Sequence, residues 1–217
     1  MTNLDIKQKT IAKEVTLSGV GLHTGKSVDM TFKPAPENYG YAFVRIDLEG
    51  KPVIEADANY VVTTERGTNL EKNGVNINTS EHVLAALVGL QIDNCIIELD
   101  ASEPPIMDGS SKYFIEILET AGLIEQEAFV EEYVVKEIIS YKDEKTGSEI
   151  MILPSEKYEL TAMVDFGTNV LGTQNASINE ISEFKKEISD SRTFSFLHEI
   201  EMLLDHGLIK GGDLNNA

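Results

Sequence analysis

The chain has 217 residues, of which 41% are hydrophobic and none is tryptophan, a composition typical of a globular protein with a buried core. Its formal net charge is −19, and the acidic excess is spread over both halves of the sequence. Such a charge repels nucleic acid and anionic membrane surfaces, and we expect no nucleic-acid partner. An anionic substrate is still possible, because it needs only a few local bases.

The single cysteine and the apolar pattern indicate a reducing compartment. Cys95 is the only cysteine, so the chain cannot form an internal disulfide. The polar N-terminus, MTNLDIKQKT, lacks the apolar segment of a secretory signal, and no apolar run approaches the roughly 20 residues of a membrane span. We therefore expect a cytoplasmic protein without stable membrane insertion. Nothing in the composition indicates an oligomeric state.

Residues 1–124 are predicted to form a first domain that begins with strands and ends with helices. Alternating apolar residues in KSVDMTF predict a half-buried strand, and YAFVRID and GVNIN predict further strands beyond turns rich in Pro, Asn and Gly. Thr79 or Ser80 is expected to cap the helix that follows. A short apolar strand, NCIIEL, then leads to a helix over 111–121, which Gly122 is expected to end.

Residues 125–131 form a charged segment that we interpret as a linker between domains. Strand patterns resume in YVVKEIISY, IMILP and YELTAMVDF, and amphipathic helices are expected from about Asn179 and in FLHEIEMLLDHG. We therefore predict a second domain over 132–217 in which strands again precede helices. No later strand completes its sheet, so we expect two small α+β domains, the second of them incomplete.

The adjacent pair Glu81 and His82, at the start of a predicted helix, is the first candidate for chemistry. A neutral imidazole is the commonest zinc ligand, and a carboxylate beside it can take a proton from bound water. The residue one helical turn further on is Ala86, so this helix offers no second ligand. In the structural alternative, Glu81 complements the helix dipole and His82 is a half-buried side chain. Spacing alone favours that alternative, because one histidine does not make a metal site.

Other segments contain residues that could contact a ligand, and each has a structural alternative. His23 lies in a glycine-rich turn, SGVGLHTGK, which either approaches a ligand or only connects two strands. Asp108 in PPIMDGS is expected to make local hydrogen bonds. Thr193 in SRTFSF either stabilises an oxyanion or is structural. The small polar residues of KGGDLNNA suit a channel wall or an ordinary surface loop.

Six motifs occur in order along the chain: SGVGLHTGK, FKPAP, TSEHVLAALVGLQIDNCIIEL, EPPIMDGSS, SRTFSF and GLIKGGDLNNA. Together they resemble the zinc-dependent UDP-3-O-acyl-N-acetylglucosamine deacetylases of lipid A biosynthesis. The resemblance extends from about Gln8 to Ala217, and the spaced E-H-x-L-A-A-L and P-I-M-D-G-S motifs are highly specific. It implies an α+β fold of two β-α-α-β two-layer sandwich domains with the active site between them.

The resemblance also implies a Zn²⁺ cofactor, a UDP-linked acylated N-acetylglucosamine substrate and roles for individual residues. Glu81 would be the general base, His82 a zinc ligand and Thr193 the group that polarises the substrate carbonyl. His23 would lie near the active site, and Phe166 near the nucleotide. The passage for the acyl chain would be formed by Phe194, Phe196, Ile200, Leu208, Gly211, Gly212 and Leu214.

The chain departs from the family pattern in two respects. Leu153 stands where the family often has a lysine before a proline, so Lys157 is the alternative contact for the uridine diphosphate. The family's other two zinc ligands and its general-acid histidine belong to motifs that follow the G-G segment and do not occur before Ala217. The resemblance thus implies a truncated chain that is inactive alone, and a parent protein that in some relatives continues into a 3-hydroxyacyl-carrier-protein dehydratase. The alternative function is a non-catalytic module that binds a nucleotide sugar or an acyl chain.

Overall fold

A computed structural model of the protein describes residues 6–206 and 208–216. The strands in these ranges are β1 (Lys7–Ile11), β2 (Val15–Val20), β3 (Ser27–Pro34), β4 (Tyr41–Arg45), β5 (Val53–Glu55), β6 (Val61–Thr63), β7 (Asn69–Lys72), β8 (Val75–Ile77), β9 (Cys95–Leu99), β10 (Leu123–Phe129), β11 (Ile139–Lys142), β12 (Glu149–Ile152), β13 (Leu160–Asp165) and β14 (Thr173–Ile178). The helices are α1 (Glu81–Gly89), α2 (Lys112–Ala121), α3 (Phe184–Glu187) and α4 (Leu197–Asp205), with 3-10 turns at Ala58–Tyr60 and Ile181–Glu183. Among these described helices, none combines the length and the apolar composition that crossing a bilayer requires.

The central sheet of the first half has five strands in the order β2–β3–β9–β4–β5. Its neighbouring strands are antiparallel except β4 and β9, which run parallel with Phe43 opposite Ile97. Side chains alternate across the sheet, so Met30 and Phe32 of β3 are buried while Thr31 between them lies on the other face. The strands predicted in KSVDMTF, YAFVRID and NCIIEL are confirmed.

Helices α1 and α2 cover the buried face of this sheet. Leu87 of α1 and Phe114 of α2 belong to the same buried cluster as Phe32 and Phe43 of the sheet. Each such side chain contributes roughly 1.5–3 kcal/mol on burial, so this two-layer core is the main source of stability. Gly122 follows α2 with φ +71°, which confirms the predicted end of that helix.

The charged segment after α2 is a strand over most of its length. Residues 123–129 form β10, which pairs antiparallel with β1, and the predicted linker over 125–131 overlaps it. The charges that suggested a linker lie on the exposed side of this pair, where Lys7 Nζ is 3.1 Å from Glu127. Gln126, between two of the glutamates, turns inwards and donates to the carbonyl of Ala35 at 3.0 Å.

The second half contains two separate antiparallel hairpins in the described residues, β11–β12 and β13–β14. Many of their apolar side chains are more than half exposed, among them Tyr141, Met151 and Met163. One strand prediction for this half needs correction, because YVVKEIISY is a strand only from Ile139. No strand was predicted at β14, because TQNASI lacks apolar alternation. The α+β class is confirmed, and the division into two domains stays a prediction.

Gly89, the last residue of α1, marks a contact between the two halves. A Cβ at this position would overlap the ring of Phe184 in α3. We therefore expect Gly89→Ala to lower the free energy of unfolding by about 1–3 kcal/mol, although alanine has the better helix propensity by roughly 1 kcal/mol. Urea denaturation followed by circular dichroism measures this change.

The matched control for that prediction is a double-mutant cycle with Phe184→Ala. Removing the ring leaves room for the added methyl group, so Gly89→Ala should be better tolerated in the Phe184→Ala background. A Gly89→Ala protein as stable as the original, or additive effects in the double variant, would contradict the packing of α3 on α1.

Candidate active site

The turn before α1 holds Glu81 and His82 in place through bonds to other segments. Ser80 has helical backbone angles, φ −79° and ψ −18°, and its hydroxyl donates to the carbonyl of Thr68 at 2.9 Å. The hydroxyl of Thr79 donates to Glu103 at 3.1 Å. The predicted side-chain cap by Thr79 or Ser80 is therefore wrong, because both hydroxyls bond to groups outside the helix.

The Glu81 carboxylate lies beside the His82 imidazole. Oε1 of Glu81 is 3.9 Å from Nε2 of His82, and Oε2 accepts a hydrogen bond from the Thr68 backbone N–H at 2.8 Å. The Glu81 side chain is 38% exposed and that of His82 is 19% exposed, so solvent reaches the carboxylate while the ring is largely enclosed. A carboxylate so placed can take a proton from a water molecule next to the imidazole.

Burial lowers the pKa of His82, and the negative charges of Glu81 and Asp108 raise it without reversing that direction. At pH 7 the imidazole is accordingly neutral, which is the form that binds metal ions. Asp108 accepts hydrogen bonds from the backbone and the hydroxyl of Ser110, at 3.0 and 2.7 Å, as the sequence predicted.

The described residues do not by themselves complete a zinc site. In the part of the chain that the structure describes, no group of three or more His, Cys, Asp or Glu side chains is close enough to hold a metal ion. A catalytic zinc ion takes three protein ligands, and His82 supplies one imidazole. Another histidine in this part, His206, has its ring Nδ1 2.7 Å from the carbonyl oxygen of Met202 in its own helix.

The glycine-rich turn between β2 and β3 connects the two strands and also contacts the end of the chain. His23 Nδ1 is 2.9 Å from the carbonyl oxygen of Leu208, and Nε2 is 3.3 Å from that of Arg66. A Cβ at Gly211 would overlap the backbone carbonyl of Gly21, so only glycine permits this approach. The turn thus packs closely against Leu208 and Gly211 in addition to connecting the two strands.

A cavity of about 810 Å³ lies between this turn and the segment over 193–216. Six of the predicted site residues line it: His23, Thr193, Phe194, Ile200, Gly212 and Leu214. Leu22, Leu203 and Ile209 make much of the remaining wall apolar. Arg66 adds a positive charge to it, and Glu65 and Asp213 add two negative charges. A cavity of this size and lining suits a hydrocarbon chain joined to a polar group.

The other predicted site residues surround this cavity without lining it. The ring centroids of Phe166 and Phe194 are 4.8 Å apart, and those of Phe194 and Phe196 are 6.1 Å apart, both edge to face. Leu208 and Gly211 meet the His23 turn through their backbones. Glu81 and His82 are likewise not part of the cavity wall, so the cavity does not itself bring them together with Thr193.

The loop over 106–110 lies between the Thr193 segment and His82. The Thr193 backbone N–H donates to the carbonyl of Gly109 at 2.8 Å, and Arg192 Nε donates to that of Asp108 at 2.7 Å. The same Asp108 contributes to the electrostatics of His82. Thr193 is therefore hydrogen-bonded to the loop whose Asp108 raises the pKa of His82 against the larger lowering by burial.

Glu103 belongs to the same region and is not pointed out by its sequence context. The residue is 0% exposed, and its carboxylate accepts hydrogen bonds from the backbones of His23 and Thr24 and from the Thr79 hydroxyl. A glutamate before two prolines carries no periodic signal, and glutamate is rarely buried without partners. Only the folded structure shows that three donors converge on it.

The family model for UDP-3-O-acyl N-acetylglycosamine deacetylase matches residues 8–217. Among similar proteins, a bifunctional LpxC/FabZ enzyme of Bacteroides thetaiotaomicron is 49% identical over 212 residues, which are 98% of this chain and 46% of that protein. The bifunctional LpxC/FabZ enzyme of Porphyromonas gingivalis is 44% identical over 97% of this chain and 46% of its own length. The UDP-3-O-acyl-N-acetylglucosamine deacetylase of Myxococcus xanthus is 42% identical over 97% of this chain and 67% of its own length. The chain spans about half the length of the bifunctional relatives that it matches.

Proposed function

Because the chain belongs to the UDP-3-O-acyl N-acetylglycosamine deacetylase family, we propose that it carries the water-activating part of a hydrolase. Its substrate would be UDP-3-O-(3-hydroxyacyl)-N-acetylglucosamine, and its product the free amine that enters lipid A biosynthesis. The observation that carries the proposal is the pair Glu81 and His82, 3.9 Å apart, whose Thr68 partner is two residues from Arg66 in the cavity wall. The pair suits hydrolysis, and the apolar cavity suits the acyl chain.

In the proposed reaction, Glu81 takes a proton from water, and the water oxygen attacks the carbonyl carbon of the acetamide. The C–N bond then breaks as the leaving nitrogen takes up the proton that Glu81 removed from water, which gives acetate and the amine and restores the carboxylate. The Thr193 hydroxyl donates a hydrogen bond to the oxyanion that forms on the carbonyl oxygen. Phe166, packed edge to face on Phe194 at the cavity, is proposed to lie near the nucleotide.

Zinc is part of the proposal for the full-length gene product, and a bound zinc ion would lower the pKa of water and polarise the carbonyl. His82, with its neutral and largely enclosed imidazole, is proposed as one ligand. The other ligands would have to come from outside the described residues, which contain no three-ligand group. We assign no step to the metal on these residues alone, and we expect residues 1–217 to be inactive by themselves.

The second candidate function is a binding module without catalysis. It is supported by one observation: the cavity of about 810 Å³ is present, whereas the described residues contain no complete metal site. Such a module would hold the nucleotide sugar through Arg66 and the acyl chain through the apolar wall. A cytoplasmic location, consistent with the buried thiol of Cys95, is common to both candidates.

Zinc content and acetate release together test the proposal. The full-length gene product is expected to contain about one zinc ion per chain and to release acetate from the acylated UDP sugar, because three ligands then meet. Residues 1–217 expressed alone are expected to do neither. Atomic absorption and an enzymatic acetate assay measure the two quantities.

Three outcomes would contradict parts of this expectation. Stoichiometric zinc with acetate release from residues 1–217 would refute their proposed inactivity. Acetate release by a metal-free full-length product would refute the role of zinc. A full-length product that binds the acylated UDP sugar but contains no zinc and releases no acetate would establish the binding module instead.

A further inference from the structure

We propose that Glu103 is a positioning residue for the deacetylation, and that its carboxylate fixes the turn bearing His23 relative to the turn leading into Glu81. This inference rests on the proposed function and extends it to a residue that touches neither substrate nor reacting atoms. Glu103 lies in the loop between β9 and α2 and is 0% exposed. It therefore acts inside the protein, on the backbone that carries the site.

The Glu103 carboxylate joins two segments that are far apart in sequence. Its oxygens accept hydrogen bonds from the backbone N–H groups of His23 and Thr24, at 3.1 and 3.0 Å, and from the Thr79 hydroxyl at 3.1 Å. A Cβ at Gly21 would lie 2.6 Å from Glu103 Oε2, so the turn closes directly on the carboxylate. All three partners are donors, and an ionised carboxylate is a group that only accepts.

Through its hydrogen bond with Thr79, Glu103 stabilises an unfavourable backbone conformation. Thr79 has φ +53°, a region in which a β-branched residue is strained. Two bonds hold it there: its N–H donates to Asn69 Oδ1 at 3.1 Å, and its hydroxyl donates to Glu103. Without the second bond, we expect Thr79 to relax and to change the direction in which the chain enters Glu81, two residues later.

The second segment bound by Glu103, the His23 turn, is also connected to Glu81 through the backbone of residues 66–68. The His23 ring Nε2 is 3.3 Å from the carbonyl oxygen of Arg66, and two residues further on the Thr68 N–H donates to Glu81 at 2.8 Å. Glu103 thus bonds to Thr79, which precedes the proposed general base in the chain, and to the turn that contacts the segment holding its carboxylate. We therefore infer that Glu103 fixes the position and orientation of the Glu81 carboxylate and takes no part in the proton transfer.

Kinetics of Glu103→Gln in the full-length gene product test the proposal. The glutamine side chain has the same size and keeps one acceptor oxygen, but its NH₂ group is a donor, so it cannot accept from all of His23, Thr24 and Thr79. We expect kcat for acetate release to fall by about 10²-fold, as for a misplaced catalytic group, and KM to change by a smaller factor. The rates are compared at a temperature where circular dichroism shows both proteins fully folded.

Two variants at Thr79 keep the test decisive if Glu103→Gln fails to fold. Thr79→Val removes the hydroxyl at constant shape and is expected to reproduce the loss in kcat. Thr79→Ser retains the hydroxyl and is expected to keep most of the kcat of the unmodified protein. A residue that only stabilises the fold would not produce this difference among folded variants.

Amide hydrogen exchange provides a readout that does not depend on activity. In Glu103→Gln, whichever of the His23 and Thr24 backbone N–H groups faces the new NH₂ group loses its acceptor and should exchange faster than in the unmodified protein. Glu37→Gln is the matched control, because Glu37 also accepts from backbone N–H groups, those of Glu127 and Ala128, in another part of the molecule. This control is expected to leave kcat unchanged.

The outcomes separate this inference from the proposed function. An unmodified full-length product that releases no acetate removes the proposed function, and the inference with it. An active product whose folded Glu103→Gln or Thr79→Val variant keeps the original kcat overturns the positioning role alone. A loss of kcat in both variants with rescue by Thr79→Ser supports it.

Discussion

The Glu81→Gln substitution is expected to lower kcat for acetate release by about 10²–10⁴-fold in the full-length gene product, the range by which a general base accelerates such reactions. The glutamine side chain keeps the size of Glu81 and an oxygen that can accept from the Thr68 N–H, so the start of α1 should be preserved. What is lost is the ability to take a proton from water. Steady-state kinetics with the acylated UDP sugar measure the change, and KM should be nearly unaffected.

The matched control for that substitution is Glu71→Gln, which changes an exposed carboxylate on β7 outside the site. It removes the same charge from the same half of the molecule, and its kcat is expected to equal that of the unmodified protein. A Glu81→Gln protein that stays within tenfold of the original kcat would remove Glu81 as the general base. Acetate release would then depend on another proton acceptor, and Glu81 would have only a structural role at the start of α1.

The Phe32→Ala substitution is expected to lower the free energy of unfolding by about 3–5 kcal/mol, the largest stability effect that we predict. Phe32 is fully buried on the central strand β3, against the two helices of the first half. Truncation leaves a cavity between two packed layers that can close only in part. Urea denaturation, monitored by circular dichroism, gives the difference.

Thr31→Ala, at the neighbouring position, is the control for Phe32→Ala. Its side chain lies on the opposite face of β3, where the hydroxyl pairs with that of Thr16 at 2.8 Å in an exposed position. Loss of that bond should change the free energy of unfolding by about 1 kcal/mol or less. Equal effects of the two substitutions would show that the sheet does not bury the face assigned to it.

Periodicity was sufficient to predict the elements whose two faces differ strongly in polarity. Helix α2 has a buried face and a glycine end, and β3 alternates strictly, so both were predicted within a residue or two. β10 was mistaken for a linker because its exposed side is charged, and its inward-facing Gln126 is polar as well. β14 was missed for a similar reason, since five of its six residues are exposed.

For the candidate site, the sequence motifs indicated chemical residue types but not how the chain supports them. Glu81, His82 and Thr193 were identified through their motifs, and the structure relates them through the loop over 106–110. Glu103 could not be predicted, because its burial depends on three donors that come together only on folding. The same holds for Thr79, whose hydroxyl was expected to cap α1 and instead donates a hydrogen bond to Glu103.

The exposed apolar side chains of the β11–β12 and β13–β14 hairpins affect how the proposed acylated substrate must be handled in an assay. A long-chain amphiphile can adsorb to these surfaces as well as enter the cavity, since apolar contact is not directional. Adsorption depletes the free concentration of the substrate and inflates an apparent KM. Kinetic comparisons between variants are therefore cleanest with short acyl chains and a large molar excess of substrate over protein.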